Sequence, residues 1–303
     1  MASSPDDDAA ALELVRAGVA GAVGGDADEG LGAFLSDQTL RRYLVANEGD
    51  TAKAAAQLTG SWRWRVKVQP QRIACELCSR DPMSHSLRPV GFDAQGRLLM
   101  YTCFATAHDR FDPHKSVAHL TRVLEDAQVL LDADGSRAAK WVLFIDFHGY
   151  SMRDSDPRAA NNFVWLLQHY PERLGLAVIY NSGILFDGLW RGLRRILNPV
   201  TVSKVSFISS MDTPDANVLA MGSEMVAWLK AEVATNRTTE GRRARWWETH
   251  DAYGLPKSHD ARGVASFVHD AKAYDSFEHY AIERFVDAHA HLPDPAVLQL
   301  RCI

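Results

Sequence analysis

Two short polar motifs carry side chains whose types could bind an anion and a polyol. The first, Tyr-Pro-Glu-Arg-Leu at residues 170–174, contains the carboxylate of Glu172. The second, Asn-Pro-Val-Thr-Val-Ser-Lys at residues 198–204, contains the hydroxyl of Thr201 and the ammonium group of Lys204. A hydroxyl and an ammonium group can donate hydrogen bonds to a phosphate, and a carboxylate accepts them from hydroxyls. Without further context, however, charged residues near strand ends are usually solvated surface groups.

A Cys-x-x-Cys pair, Cys75 and Cys78, is a second candidate for chemistry. Such a pair could bind a metal ion or act in redox reactions, but a zinc site needs two further ligands. The other cysteines, Cys103 and Cys302, do not form a second pair of matching spacing. We therefore predict that the two thiols are packing groups and that the protein has no metal site.

Catalysis would have to use acids and histidines such as Asp146 and His148. Both follow a predicted buried strand, and α/β proteins place their sites at the carboxyl ends of strands. The sequence contains no Gly-x-Ser-x-Gly elbow, no phosphate-binding P-loop and no His-Glu-x-x-His motif. We predict that the chain has no catalytic residues and is not an enzyme.

The two polar motifs flank a predicted strand–helix–strand unit. Residues 176–182 and 204–210 contain short apolar runs with the length and composition of buried strands. Between them, leucines recur every four residues from 185 to 197, as on one face of a helix. A strand, a helix and a strand in this order predict a βαβ unit within a parallel sheet.

In these motifs the chain resembles the CRAL-TRIO lipid-binding family, and within it the fungal-type phosphatidylinositol transfer proteins. The order Tyr-Pro-Glu-Arg-Leu-Gly, an Asn, an apolar helix and Pro-Val-Thr-Val-Ser-Lys follows the family pattern. Residues 40–65 are similar to the family's helical N-terminal module, so the resemblance extends over roughly 36–234. It implies an α/β fold, the CRAL-TRIO fold, with a helical N-terminal module and a mostly parallel sheet covered by helices that enclose a lipid cavity.

The resemblance implies a phosphatidylinositol-binding and transfer protein, whose ligand is a phospholipid and which needs no cofactor. The family positions that match Glu172, Thr201 and Lys204 belong to the pocket for the phosphatidylinositol headgroup. Lys204 would supply the positive charge, Thr201 a hydroxyl donor and Glu172 an acceptor for the inositol hydroxyls.

One departure from the family pattern concerns a second lipid. Members that also carry phosphatidylcholine have a Ser and a Thr in the strand where this chain has Trp141 and Leu143. Neither side chain can donate a hydroxyl hydrogen bond to a phosphate. We predict weak or absent phosphatidylcholine transfer, so that any second ligand is another hydrophobic molecule.

The helix between the two strands is predicted to be a gate over the bound acyl chains. Its apolar residues would cover the lipid when closed and enter the bilayer interface when open, where its arginines would meet anionic headgroups. The predicted gate residues are Leu185, Phe186, Leu189, Trp190, Leu193, Arg191, Arg194 and Arg195. An ordinary helix with a solvated basic face has the same pattern, and the resemblance favours the gate.

Composition restricts the remaining classes of function. The chain has 303 residues, of which 47% are hydrophobic, enough for a substantial core. The formal net charge of −5 argues against nucleic acid as a partner. No apolar run has the length of a transmembrane helix, and the acidic N-terminus lacks the basic start of a signal peptide. We expect a monomeric cytoplasmic protein that contacts membrane surfaces transiently.

The chain is predicted to contain four segments. Residues 1–30 would be a mobile leader with a short helix at residues 9–16, and 31–80 the helical N-terminal module, with one helix capped by Ser36 or Asp37 and the next by Asp50. Residues 81–235 would be the lipid-binding domain, which ends in one helix over residues 218–229. Residues 236–303 would be a mostly helical extension of unknown role, with a last helix at residues 273–290. Two other functions fit the same fold: a carrier of a small hydrophobic molecule such as a tocopherol, retinoid or sterol, and a membrane-sensing scaffold. The presence of Glu172, Thr201 and Lys204 argues against the small-molecule carrier.

Overall fold

A computed structural model describes residues 5–24, 30–73, 75–80, 84–133, 139–154 and 156–243. Within these residues the backbone divides into two compact units. The first contains the described residues up to Gln69 together with Val164–Glu172, and the second contains Pro70–Phe163 and the described residues from Arg173 onwards. The first unit therefore ends at Gln69 before it resumes at Val164, whereas the sequence predicts a domain boundary after residue 80.

Four helices make up most of the first unit: α1 (Pro5–Val23), α2 (Gly30–Phe34), α3 (Asp37–Ala46) and α4 (Thr51–Val68). The side chain of Ser36 caps α3 by accepting a hydrogen bond from the N–H of Thr39, and Asp50 caps α4 through the N–H of Lys53. Both caps are among those that the sequence predicts. The helices bury a shared apolar core: Leu12, Val15, Val19, Leu31, Leu35, Leu40, Tyr43, Leu44, Ala54, Ala55, Leu58 and Trp62.

The N-terminal segment differs from the prediction of a mobile leader with a short helix at residues 9–16. The helix α1 runs for 19 residues, and Leu12, Val15 and Val19 are buried in the core of the first unit. Their spacing of three and four residues places them on one face, which packs against α3 and α4. This face is hard to recognise in the sequence because its large apolar residues, Leu12, Val15, Val19 and Val23, lie in a segment rich in Ala and Gly.

After Gln69 the chain alternates strands and helices. The strands are β1 (Arg88–Phe92), β2 (Leu98–Cys103), β3 (Trp141–Asp146), β4 (Leu174–Tyr180) and β5 (Val205–Ile208). The helices are α5 (Glu76–Arg80), α6 (Pro113–Ala133), α7 (Pro157–Leu167), α8 (Gly183–Ile196), α9 (Pro199–Ser203), α10 (Ala216–Leu219), α11 (Ser223–Thr235) and α12 (Thr239–Arg243). The predicted βαβ unit is confirmed, with α8 and α9 between β4 and β5.

The strands of the described residues form one sheet in the order β1-β2-β3-β4-β5. The first two strands are antiparallel, and each later pair of neighbours is parallel. Val142 and Phe144 of β3 belong to a core on one face of this sheet, and residues of α10 and α11 such as Val218, Met225 and Leu229 cover it. A mostly parallel sheet that helices cover is the architecture that the sequence predicts.

The other face of β3 carries Trp141, Leu143 and Ile145, because successive side chains of a strand point to opposite faces. Trp141 and Leu143 are buried. Ile145 packs against a cluster that includes Ile179 of β4 and Phe186 of α8. The helix α8 therefore covers this second face where β3 and β4 approach their carboxyl ends.

The segment after β5 also differs from the prediction of one helix over residues 218–229. The chain instead forms α10 and α11, separated at Gly222, whose φ is 93°. That conformation favours glycine, and a Cβ added there would lie 2.7 Å from the Cβ of Ala94. The helix predicted at residues 273–290 lies outside the described residues.

Candidate functional site

The motif at residues 198–204 folds into one helical turn, α9, which ends just before β5. The side chain of Asn198 starts the turn by accepting a hydrogen bond of 2.7 Å from the N–H of Thr201. The N–H of Lys204 ends it by donating to the carbonyl of Thr201 at 3.1 Å. The carbonyl of Lys204 accepts from the N–H of Ala177 at 2.8 Å and so fixes the turn beside β4. Thr201 and Lys204 thus lie in one turn, and both are half-buried.

Glu172, the third predicted headgroup residue, lies in the turn between α7 and β4 and belongs to the first unit. Its φ of 57° falls in the left-handed region, which is uncommon for a residue with a Cβ. Contacts within the first unit fix the position of His169, which lies three residues before Glu172. The ring of His169 stacks on Trp64 with 4.1 Å between centroids, and its carbonyl accepts from the hydroxyl of Tyr43 at 3.2 Å. Because Glu172 and Lys204 belong to different units, their joint role stays a prediction.

The predicted gate helix is α8, and its apolar side packs against the second face of the sheet. Phe186 is buried, and its ring centroid lies 4.5 Å from that of Phe147. The ring of Trp190 meets Phe207 of β5 edge-on at 5.3 Å. Leu189 and Trp190 are half-buried against the same cluster. An aromatic layer therefore lies between α8 and the sheet.

The opposite side of α8 is basic. Arg191, Arg194 and Arg195 are exposed, and the last two lie in the final turn, where cations interact favourably with the helix dipole. Leu193 is half-buried, and the side chain of Leu185 lies outside what the structure describes. In the described part of the chain, no helix combines the length and the apolar content needed to cross a membrane.

Exposed apolar residues beside α8 were missed by the sequence analysis. Ile184 in its first turn is 87% exposed, Val200 in α9 is 55% exposed, and Phe207 in β5 is 46% exposed. Scattered exposed apolar residues are ordinary, but Ile184 and Val200 lie on the same crossover between β4 and β5 as the exposed arginines, and Phe207 lies in β5 directly after it. Only Ile184 and Val200 could have been noticed from the sequence, as apolar residues at helix starts.

Asp146, the acid considered for catalysis, is buried and surrounded by hydrogen-bond donors. It is 0% exposed and accepts four hydrogen bonds from described residues. Two come from the guanidinium of Arg237 at 2.8 and 2.9 Å, one from the hydroxyl of Tyr101 at 3.0 Å, and one from the N–H of His148 at 3.0 Å. A carboxylate that is bound on both oxygens is poorly placed to take a proton from a substrate. This environment favours a role in fixing the residues after α11 to the end of β3.

The buried charge of Asp146 affects its neighbours. Burial, and then the charge of Asp146, raises the pKa of Tyr101 well above its ordinary value. The same two causes raise the pKa of Cys103 to about 12. Burial lowers the pKa of Arg237, but the hydrogen bonds to Asp146 and the attraction of its negative charge together outweigh that effect, so the net shift of the pKa is upward. At neutral pH, Tyr101 and Cys103 are therefore neutral and Arg237 is charged.

The structure places two histidines beside Cys75 and Cys78, which are predicted to be packing groups. The Nδ1 atom of His85 is 3.4 Å from the Sγ atoms of both cysteines, and the Nδ1 atom of His119 is 3.4 Å from the Sγ atom of Cys78. Side-chain hydrogen bonding with Cys78 lowers the pKa of the Cys75 thiol against the opposite effect of burial. The sequence analysis sought the further ligands of a metal only among cysteines and so missed this arrangement.

An open cleft of about 640 Å³ is a separate feature of the second unit. Its lining residues are His108, Asp109, Phe111, Asp112, Lys115, Arg153 and Arg158. The guanidinium groups of Arg110 and Arg153 lie over the ring of Phe111, 4.2 and 4.1 Å from its centroid. Neither Thr201 nor Lys204 lines this cleft, which therefore does not correspond to the predicted headgroup site.

Comparison with protein families gives a match over the sheet and its crossover helices. Residues 88–218 match the family described as CRAL/TRIO domain. This range contains the strands β1–β5, the helices α6–α9 and the motifs around Glu172 and Lys204. The match therefore covers the segments in which the sequence resemblance was strongest.

Two curated relatives are similar to the chain. It is 26% identical over 186 residues to phosphatidylinositol transfer protein CSR1 of Eremothecium gossypii. It is 28% identical over 183 residues to CRAL-TRIO domain-containing protein C3H8.02 of Schizosaccharomyces pombe. Each match covers 56% of this chain, but only 42% and 40% of the respective relative. The chain thus spans less than half the length of these relatives.

Among solved structures, the crystal structure of Sfh5 is similar to this fold. The superposition has a TM-score of 0.55 at 17% sequence identity and covers 68% of this chain and 82% of that chain. Likeness at this identity concerns the fold alone. It confirms the predicted α/β class with a mostly parallel sheet and covering helices.

Proposed function

The chain belongs to the CRAL/TRIO family through residues 88–218, and from that premise we propose that it binds phosphatidylinositol and transfers it between membranes. The family supports lipid binding, and the name of the Eremothecium gossypii relative supports the choice of lipid. One observation carries the proposal. The turn that contains Thr201 and Lys204 directly follows α8, a helix with an apolar inner side and a basic outer side.

The chemistry of the headgroup fits the residues that the motifs retain. Phosphatidylinositol presents a phosphodiester, which needs a cation and hydrogen-bond donors, and an inositol ring, which needs acceptors. Lys204 and Thr201 supply a cation and a hydroxyl within one turn of the second unit. Glu172 supplies a carboxylate in the first unit. We assign the phosphate to Lys204 and Thr201. The role of Glu172 as acceptor for the inositol hydroxyls stays a prediction from the motifs.

The acyl chains require a cover that can move. Burial stabilises each CH₂ group by about 0.8 kcal/mol, so a diacyl lipid does not leave an apolar site for water at a useful rate. In our proposal α8 opens at Gly183, whose φ is 63°, and at Asn198-Pro199. Exposing Phe186 alone would cost about 1.5–3 kcal/mol in water, so opening is rare until a bilayer provides replacement contacts. The exposed arginines of α8 would direct this opening to anionic membranes.

Identification of the bound lipid tests the proposed function most directly. The full chain is purified without detergent, and its ligand is identified by native mass spectrometry followed by solvent extraction. We expect phosphatidylinositol as the main bound species, together with transfer of labelled phosphatidylinositol between vesicles. A bound tocopherol, retinoid or sterol would contradict the proposal and indicate a small-molecule carrier. An empty protein that still binds vesicles would indicate a membrane-sensing scaffold.

Phosphatidylcholine should be transferred at least about ten-fold more slowly than phosphatidylinositol, because loss of a hydrogen bond to a charged group costs about 1.5–3 kcal/mol. The apolar side chains of Trp141 and Leu143 occupy the strand positions at which phosphatidylcholine carriers have hydroxyls, and both are buried. The measurement compares the transfer of the two labelled lipids by one protein sample. Equal rates would show that a choline site is built from other residues.

Changes on the outer side and middle of α8 should slow transfer without emptying the protein of lipid. We expect Arg194→Glu combined with Arg195→Glu to reduce transfer to anionic vesicles by about 30-fold, since each Lys or Arg near such a surface contributes about 1 kcal/mol. Trp190→Ala should separately slow transfer, because it removes an indole ring that favours the interface between water and hydrocarbon. Transfer kinetics and the amount of lipid bound to the isolated protein are measured together.

Charge reversal away from α8 provides the matched control for these variants. Arg41 and Arg63 are exposed on the first unit, and changing both to Glu alters the net charge by the same amount as the double change in α8. Transfer by this control should stay close to that of the unmodified protein. If the α8 variants and the control transfer lipid equally fast, the membrane contact lies elsewhere on the protein.

A further inference from the structure

Two cysteines and two histidines of the second unit form a compact cluster outside the proposed lipid site. Cys75, Cys78 and His85 come from the segment before β1, and His119 comes from α6. Their potential ligand atoms all lie within 4.8 Å of one another. Cys75 and His85 are buried, and the other two are half-buried. The cluster therefore joins two separate segments of the chain at a site that is shielded from solvent.

The distances agree with four ligands around one tetrahedral metal ion. Zinc lies ~2.3 Å from a thiolate sulfur and ~2.0–2.1 Å from an imidazole nitrogen, so a sulfur and a nitrogen of one tetrahedron are ~3.6 Å apart. Three of the sulfur–nitrogen distances here are 3.4 Å: Cys75 to His85, Cys78 to His85, and Cys78 to His119. The side chains thus need little movement to bind an ion between them.

Hydrogen bonding among the four groups explains the arrangement less well than a metal does. The Nδ1 atom of a neutral imidazole can accept one hydrogen bond along its single lone pair. In His85 this atom has two thiol sulfurs at the same distance of 3.4 Å. Two thiols cannot both donate well to one lone pair, whereas two thiolates and an imidazole nitrogen can all bind the same cation.

The orientation of His119 is also that of a metal ligand. Its Nε2 atom lies 2.8 Å from the carbonyl oxygen of Leu87, which can only accept a hydrogen bond. The proton of a neutral His119 must therefore be on Nε2, and the lone pair of Nδ1 points toward Cys78 at 3.4 Å. A hydrogen bond from the second ring nitrogen to a backbone carbonyl is the usual support of a histidine that binds metal.

We propose that Cys75, Cys78, His85 and His119 bind one Zn²⁺ ion in a closed tetrahedral site. Two thiolates and two imidazoles favour zinc over calcium or magnesium, which take oxygen ligands. Four protein ligands leave no open position for a substrate, so the ion has a structural role. It ties the segment that leads into β1 to α6, which positions the outer strand of the sheet. This assignment replaces the expectation from the sequence that the protein has no metal.

Metal analysis of the full chain tests the site. Protein purified under reducing conditions without chelator should contain about one zinc ion per chain by inductively coupled plasma mass spectrometry. Cys78→Ser and His119→Ala should each lose most of this zinc. Cys103→Ala and His108→Ala, which change a cysteine and a histidine outside the cluster, should keep it. Loss of zinc from these two controls as well would contradict the assignment of the four ligands.

Cobalt substitution keeps the test decisive if a ligand variant does not fold. The unmodified protein, reconstituted with Co²⁺, should show the intense visible bands of a tetrahedral ion and a thiolate-to-cobalt charge-transfer band. A folded protein that contains no zinc as purified, takes up none when zinc is added, and gives no such spectrum with cobalt would overturn the proposal. Iron in place of zinc would overturn the identity of the ion.

Discussion

Replacing Lys204 with Ala is expected to lower the affinity for phosphatidylinositol by roughly 10- to 150-fold and to reduce its transfer accordingly. A hydrogen bond to a charged group contributes about 1.5–3 kcal/mol, and in our proposal Lys204 is the cation that meets the lipid phosphate. The change keeps the hydrogen bonds to Thr201 and Ala177, because both use the backbone of Lys204. Transfer of labelled phosphatidylinositol between vesicles measures the effect, and circular dichroism checks the fold.

Lys230 offers a matched control for this change. It lies on α11, is exposed, and its ammonium group is 3.3 Å from a carboxylate oxygen of Asp212. Exposed ion pairs contribute about 0–1 kcal/mol, so Lys230→Ala should leave both stability and transfer nearly unchanged. Unchanged transfer by Lys204→Ala would show that the phosphate is bound elsewhere, and equal losses in both variants would indicate a general effect of charge.

The elements that sequence reasoning located correctly are those with local signals. Ser36 and Asp50 cap helices because a short polar side chain can satisfy the N–H groups of the residues that follow it. The strands β3 and β4 appear as continuous apolar runs because both of their faces are covered. The turn at residues 198–204 and the helix before it were located through motifs within a few residues of one another. These signals are properties of short segments and can therefore be read from one sequence.

Contacts between distant residues escaped prediction because no periodicity connects their positions. Arg237 binds Asp146 across 91 residues, and Cys78 meets His119 across 41 residues. A sequence shows neither which residue will satisfy a buried carboxylate nor which helix will bring a fourth ligand to a cysteine pair. For the lipid site, the motifs identify Thr201 and Lys204 within one turn, but the placement of Glu172 relative to them remains a prediction from the family.

The ion pair between Asp146 and Arg237 is expected to be the most sensitive point of the fold. Asp146 has no solvent exposure, whereas the side chain of Arg237 is 28% exposed. Tyr101, which donates to Asp146, also accepts a hydrogen bond of 3.0 Å from the side-chain amide of Asn236. The sheet and the end of α11 are thus joined by a polar network at the edge of the apolar core.

Within this network, Arg237→Ala should lower the free energy of unfolding by about 3–5 kcal/mol, because it leaves a buried charge without its counter-ion. Urea unfolding with linear extrapolation measures the change, and Lys230→Ala serves again as the exposed control. Combining Arg237→Ala with Asp146→Asn should recover part of the loss, since the amide removes the buried negative charge. Two outcomes would contradict this prediction: Arg237→Ala is no more destabilising than Lys230→Ala, or Asp146→Asn adds its full separate cost to that of Arg237→Ala. Either result would show that the ion pair does not hold the end of α11 to the sheet.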